Sequence, residues 1–175
     1  LTEKTRAILF TSPNNPNGVV LNHASLCALK SAALCHNLYL IADSVYDRLV
    51  YDAPAPTLVG DSSLRDRLIY VSALSKSYAM TGVRIGYAAA DRHIMEQMLK
   101  AHSFLVVSVP GCIQRGCEGI FAEDISPMLS AYKRRRDDVY ARLKAMGMDV
   151  KLPDGAFYIY PSVAQYGMDA DTFCE

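Results

Sequence analysis

Leu68-Ile69-Tyr70-Val71-Ser72-Ala73-Leu74-Ser75-Lys76-Ser77 passes in a few positions from β-prone apolar side chains to small and polar ones. A run of apolar residues without alternation reads as a strand covered on both faces rather than a half-exposed one. Working outward, two similar runs precede it: residues 6–11, holding Ala7-Ile8-Leu9-Phe10, and Leu38-Tyr39-Leu40-Ile41-Ala42, which ends in Asp43. A fourth follows at residues 84–90. Asn22 is placed to cap a helix through about His36, with Leu26, Leu29, Ala33 and Leu34 on its apolar face. Asp61 is placed to cap a short turn near Leu64, and Asp91 a helix carrying Ile94, Met95, Met98 and Leu99. Alternating strands and helices with continuously apolar strands predict an α/β domain. Its sheet is mainly parallel and covered on both faces.

The second half reads differently. A short helix is expected after Pro110, then a long one over about Ser126–Met146 with Leu129, Tyr132, Val139, Leu143 and Met146 as its stripe. Gly147 stops it. After the turn Pro153-Asp154-Gly155, Phe157-Tyr158-Ile159-Tyr160 reads as a strand.

Eighteen Lys and Arg balance eighteen Asp and Glu, so nothing in the charge favours a nucleic-acid or anionic-membrane partner. No apolar run reaches the ~20 residues of a membrane helix. The five cysteines are odd in number and form no C-x-x-C pair, so they are read as free thiols, mostly buried, in a reducing, cytoplasmic setting. The four histidines stand at no metal-ligand spacing beside them. Lys133-Arg134-Arg135-Arg136, followed at once by Asp137-Asp138, reads as a solvated helix face with local pairing.

The polar chemistry collects after strands. Asn15 follows the first, within Ser12-Pro13-Asn14-Asn15-Pro16-Asn17-Gly18; Asp43 and Tyr46 follow the second; Ser72, Ser75 and Lys76 follow the third; Arg84 opens the fourth. Ligands of open α/β sheets bind at the carboxyl ends of strands. Singly, each residue has an ordinary structural use. Together they bring a carboxylate, a phenol, an amide, an amine and a guanidinium to one edge. A Ser-x-x-Lys hydrolase motif is excluded because Ala73 stands three before Lys76, and no P-loop or dinucleotide fingerprint is present.

At these residues the chain resembles the class I/II aminotransferases, the fold-type I pyridoxal-phosphate enzymes. Four blocks carry the likeness, in family order. Residues 12–18 look like N-P-x-N-P-T-G, with Asn17 in place of Thr. Asp43-Ser44-Val45-Tyr46 is similar to D-x-x-Y. Residues 75–87 look like S-K-x-[FY]-[AG]-M-x-G-W-R-[IL]-G-Y, with Val83 in place of Trp. Pro153-Asp154-Gly155-Ala156-Phe157-Tyr158 is similar to P-x-G-[AT]-F-Y.

The resemblance implies half of a three-layer cofactor-binding large domain in residues 1–123. Residues 124–175 would be an interdomain helix and the start of a smaller α+β domain. The cofactor implied is pyridoxal 5'-phosphate. Lys76 would capture its aldehyde and then move the substrate α-proton, the second task requiring a neutral amine. Asp43 would pair with the ring nitrogen, Tyr46 and Asn15 would bond the 3'-oxygen, and Arg84, with Ser75, would grip the phosphate. The Asn15-Pro16 bond is implied to be cis. Ala73 stands where relatives commonly have a phosphate-binding hydroxyl, with Ser72 one step earlier.

An amino acid and a 2-oxo acid are the implied substrates and a homodimer the implied assembly. A C-S lyase or a cyclopropane-carboxylate synthase-like enzyme shares the lysine block. A ligand-sensing domain of a transcription regulator is the alternative from another class. The chain opens without Met on an apolar segment and stops at Phe173-Cys174-Glu175 without a breaker. It is therefore expected to be a fragment, inert alone. The family's ring-stacking aromatic would lie upstream, and its substrate-carboxylate arginine downstream.

Overall fold

A computed structural model describes all residues, 1–175. The four apolar runs form one sheet. Strand β1 (Ala7–Thr11) lies beside β2 (Tyr39–Asp43), β2 beside β3 (Leu68–Ala73), and β3 beside β4 (Gly86–Ala89). The first two pairings are parallel and the last is antiparallel. The sheet is thus mixed and mostly parallel. Parallel neighbours need a crossover between them, and α1 (His23–Cys35) supplies the first.

Asn22 caps α1 by accepting the Ser25 amide at 2.9 Å. Leu26 and Ala33 of α1 bury against Leu40, Leu58 and Leu64, with Ile8, Phe10 and Leu68 packed around them. Leu34, expected on that face, points outward, 40% exposed. This cluster covers one face of the sheet. On the other, Leu9 of the edge strand is 67% exposed while Ile41 and Ile69 are half-buried, so that face is covered only in part, short of the two covered faces expected. The uninterrupted apolar pattern records that these strands suit burial, but it cannot supply the layer that buries them.

The remaining elements mostly follow the caps. Asp61 accepts the Ser63 amide and starts the turn Ser62–Leu64. The four-residue α2 (Leu74–Ser77) leaves β3 directly. Asp91 caps α3 (Arg92–Leu105), whose Ile94 is buried while Leu99 is not. Pro110 precedes α4 (Gly111–Gly116).

The long helix is α5 (Ser126–Ala145), followed by Gly147 at φ +78°. Its inward face is Met128, Leu129, Tyr132 and Arg136; Met146, predicted inside, is 70% exposed. Residues 157–160 form no strand: Phe157 lies in a bend and 158–160 are irregular. The short β5 (Asp149–Val150) pairs antiparallel with β6 (Pro161–Ser162) instead. The aromatic residue types favour a strand, yet the loop bonds fall just before them, at Gly155 and Ala156. A last helix, α6, covers Ala170–Cys174.

All five cysteines are free, but four are exposed and Cys117 is half-buried, contrary to the buried thiols expected. No helix is long and apolar enough to cross a membrane.

Candidate active site

Parallel pairing of β2 and β3 sets Asp43 opposite Val71, so both strands deliver their polar sequels to the same edge. Asp43 Oδ1 accepts the Val45 amide at 3.2 Å, an Asx turn that lifts the chain off the sheet toward Tyr46. Lys76 sits in α2, just beyond β3. Two serines lash that turn to the one after β2: Ser72 Oγ donates to Ser44 O at 3.1 Å and Ser77 Oγ to Val45 O at 3.5 Å. Ser72 is buried in this bond.

The aromatic segment 157–158 closes over this edge. Lys76 Nζ lies 5.3 Å from the Phe157 ring centroid. Phe157 meets the Tyr46 ring edge-on at 5.6 Å, and Tyr158 does the same from its own side at 5.6 Å. The Tyr46 and Tyr158 hydroxyls share a hydrogen bond of 2.5 Å, and Asn15 Nδ2 donates to Tyr158 Oη at 3.2 Å. Burial, then the Tyr158 bond and the nearby Asp43 charge, push the Tyr46 phenol well above its ordinary range; the Asn15 amide opposes them. Tyr46 is therefore a neutral hydroxyl at physiological pH.

Glycines let the three segments meet. Gly155 N–H donates to Gly18 O and Ala156 N–H to Leu49 O. A Cβ on Gly155 would stand 2.6 Å from Pro13 Cγ and 2.7 Å from Leu49 O. At Gly18, φ +68°, a Cβ would stand 2.7 Å from Gly155 O. The Asn15-Pro16 bond is cis, and so is Ser12-Pro13, a bond the resemblance left unspecified.

From the outside, Arg136 of α5 holds the same segment. Its side chain is 6% exposed, donates to Pro153 O and Asp52 Oδ2 at 3.0 Å each, and lies 4.6 Å over the Tyr51 ring. Lys133 also pairs with Asp52. Half of the basic run thus joins separate elements and is not the solvated face expected.

Of the six residues singled out from the sequence, the structure brings Asn15, Asp43, Tyr46 and Lys76 into one cluster. Ser75 and Arg84 make no side-chain bond to it. Arg84 is exposed in the left-handed region (φ +60°), and its Nη1 donates to Thr81 O at 2.9 Å. Three residues were missed: Phe157, Tyr158 and Arg136. The signal for the first two was their place directly after the Gly155 turn. Arg136 gave none, because a buried guanidinium is indistinguishable from a surface one in a basic run.

A lysine, an acid and a buried phenol thus stand at the strand ends of an α/β sheet, the edge at which such sheets bind ligands. The chain belongs to the class I and II aminotransferases: the family profile described as "Aminotransferase class I and II" matches residues 1–174. It is 36% identical over 175 residues to an aspartate aminotransferase of Thermotoga maritima and 32% identical over 181 residues to aromatic-amino-acid aminotransferase 2 of Thermococcus litoralis. Each alignment covers 100% of this chain and 46% of the relative. The solved aromatic aminotransferase from Pyrococcus horikoshii superposes with a TM-score of 0.94 at 34% identity, over 99% of this chain and 48% of that one. The chain spans about half the length of the curated relatives it matches.

Proposed function

We propose that these residues are the cofactor-binding half of a pyridoxal-phosphate-dependent aminotransferase acting on amino acids of the aspartate or aromatic type and on 2-oxo acids. The observation that carries this is the placement of Asp43 and Lys76 at the carboxyl ends of adjacent parallel strands, joined through Phe157 and Tyr46. The donor set suits the cofactor. Lys76 offers a primary amine. Asp43 Oδ1 is engaged by Val45, leaving Oδ2 for a ring N–H. Tyr46 offers a neutral hydroxyl to the 3'-oxygen, and Asn15 keeps a second amide hydrogen. Arg84 uses one nitrogen on Thr81 O and keeps the rest of its fork for a phosphate, with the Ser75 hydroxyl beside it in sequence.

When bound, pyridoxal phosphate supplies an aldehyde for amine capture and an electron-withdrawing ring beside the substrate α-carbon. The chain's own residues do the rest. Lys76 Nζ takes and returns the α-proton. Asp43, as a carboxylate, holds the proton on the ring nitrogen. The Phe157 face limits where the Lys76 amine swings. We assign residues 1–123 to the cofactor-binding domain and 124–175 to the start of the smaller one, and take a homodimer as the working assembly.

The test uses the full-length protein loaded with pyridoxal phosphate. Borohydride reduction followed by peptide mass spectrometry is expected to place the label on Lys76, with none in Lys76→Ala. Aspartate and aromatic donors are then expected to yield pyridoxamine phosphate. Label at another lysine, or release of pyruvate without pyridoxamine phosphate, overturns the assignment.

A further inference from the structure

Five residues other than glycine hold a positive φ, and Ala156 is the one of them that is buried. At φ +57° its methyl group crowds the backbone, and alanine lacks the side-chain amide that lets asparagine rest there. The chain therefore keeps a strained residue directly before Phe157. That ring lies 5.3 Å from Lys76 Nζ and meets Tyr46 edge-on.

Strain of this kind persists only where the surroundings over-determine it. The peptide groups on both sides of Ala156 are held from one short segment. The Ala156 N–H donates to Leu49 O, and the Ala156 carbonyl accepts the Tyr51 hydroxyl. Tyr51 N–H donates to Asp154 O at 3.2 Å, and Val50 bridges Gly155. The direction of the hydroxyl bond is fixed, since a carbonyl can only accept. Burial pushes the Tyr51 phenol up to about 12 against the nearby Arg136 charge, so its hydrogen is present at neutral pH. The Arg136 guanidinium, 4.6 Å over the ring, closes the outer side.

The Ala156 carbonyl belongs to the peptide plane that leads into Phe157. Fixing that plane fixes the direction in which Phe157 leaves the turn, and no strand does so further on. We propose that Tyr51 is a positioning residue of this site: its hydroxyl latches Ala156 in the left-handed conformation and so aims Phe157 at Lys76. The inference rests on the aminotransferase reading above, in which Lys76 moves the substrate α-proton. Tyr51 acts on that step through Phe157.

The test uses full-length protein carrying Tyr51→Phe, Ala156→Gly or Phe157→Leu, and Tyr51→Phe paired with each of the other two. Tyr51→Phe keeps the ring under Arg136 and removes only the hydrogen bond. Amide hydrogen exchange of the peptide spanning residues 154–158, in cofactor-free protein, reports the latch itself. The half-reaction of pyridoxal-phosphate-loaded protein reports proton transfer, with ordinary and α-deuterated aspartate or phenylalanine, whichever the parent accepts.

Tyr51→Phe is expected to speed the exchange about three- to tenfold, the worth of one hydrogen bond. At saturating donor the half-reaction slows by a similar factor, KM stays nearly unchanged, and the isotope effect does not fall. Adding Ala156→Gly relieves the strain and recovers most of the lost rate. Tyr51→Phe paired with Phe157→Leu is no slower than Phe157→Leu alone.

An unchanged exchange rate in Tyr51→Phe overturns the proposal. Faster exchange with an unchanged half-reaction makes Tyr51 merely structural and overturns it equally. A smaller isotope effect, additive losses with Phe157→Leu, or no recovery with Ala156→Gly does the same. Should Tyr51→Phe not fold, its pair with Ala156→Gly is expected to fold and react, and a pair that stays unfolded or unreactive overturns the latch. In each of these cases normal loading and turnover of the unmutated protein leave the aminotransferase reading standing. Failure of the unmutated protein to load removes both.

Discussion

Replacing Arg136 with alanine tests the idea that a buried charge on α5 fixes the segment that closes the site. The side chain is 6% exposed, and its bond to Pro153 O is buried. Pro153 O loses its buried donor, at a cost of about 1–3 kcal/mol. The guanidinium 4.6 Å over Tyr51 contributes roughly 1–2 kcal/mol in such a desolvated position. Asp52 and Asp137 are about half exposed, and their pairs add at most ~1 kcal/mol.

The sum is about 2–6 kcal/mol of destabilisation, which brackets the range for removing one partner of a buried pair. Arg136→Lys keeps charge but not the fork that reaches Asp52 and Pro153 together, and recovers less than half. Arg134→Ala, on the exposed face, stays within about 0.5 kcal/mol of the parent. Urea unfolding of the full-length protein, followed by far-UV circular dichroism, measures all three. If Arg136→Ala and Arg134→Ala unfold at the same urea concentration, the tether does not exist.

Gly155→Ala forces a Cβ to within 2.7 Å of Leu49 O, a backbone atom that cannot swing away. A loss of roughly 1–3 kcal/mol is expected, with weaker cofactor loading, whereas Gly82→Ala, which meets nothing within 4 Å, is expected to be neutral. Equal melting temperatures for the two would refute that steric account. The Lys30 ammonium, 2.5 Å away, and then the Ser63 bonds hold the Asp61 carboxyl down at about 2. Because the folded value is depressed, the stabilisation is complete above the ordinary carboxylate range and disappears as pH falls toward about 2. A carboxyl carbon NMR titration is expected to show this low midpoint, rising toward the ordinary value in Lys30→Met; no rise would mean the ion pair is not formed in solution.

The strands were readable because each is a short apolar run punctuated by turn residues. The helix starts were readable because Asn22, Asp61 and Asp91 carry side-chain acceptors where amides need them. Asn15, Asp43, Tyr46 and Lys76 were readable because blocks of neighbouring residues carry the family resemblance. The run Phe157–Tyr160 misled, since β propensity describes a backbone preference and says nothing of whether a partner strand lies alongside. The stripe on α5 misled for a related reason: Arg136 counts as polar, yet its charge is met by Asp52 from another loop, which periodicity cannot see.

The sequence by itself determined the α/β class, the caps and the residue types of the site, because those follow from local propensity and from chemistry carried on single side chains. Only the tertiary structure decided that β4 runs antiparallel, that Tyr158 stands between Asn15 and Tyr46, and that Arg136 turns inward. Each of these depends on segments distant in the chain, and a hydrogen bond or buried ion pair exists only once folding has set both partners within about 3 Å of each other.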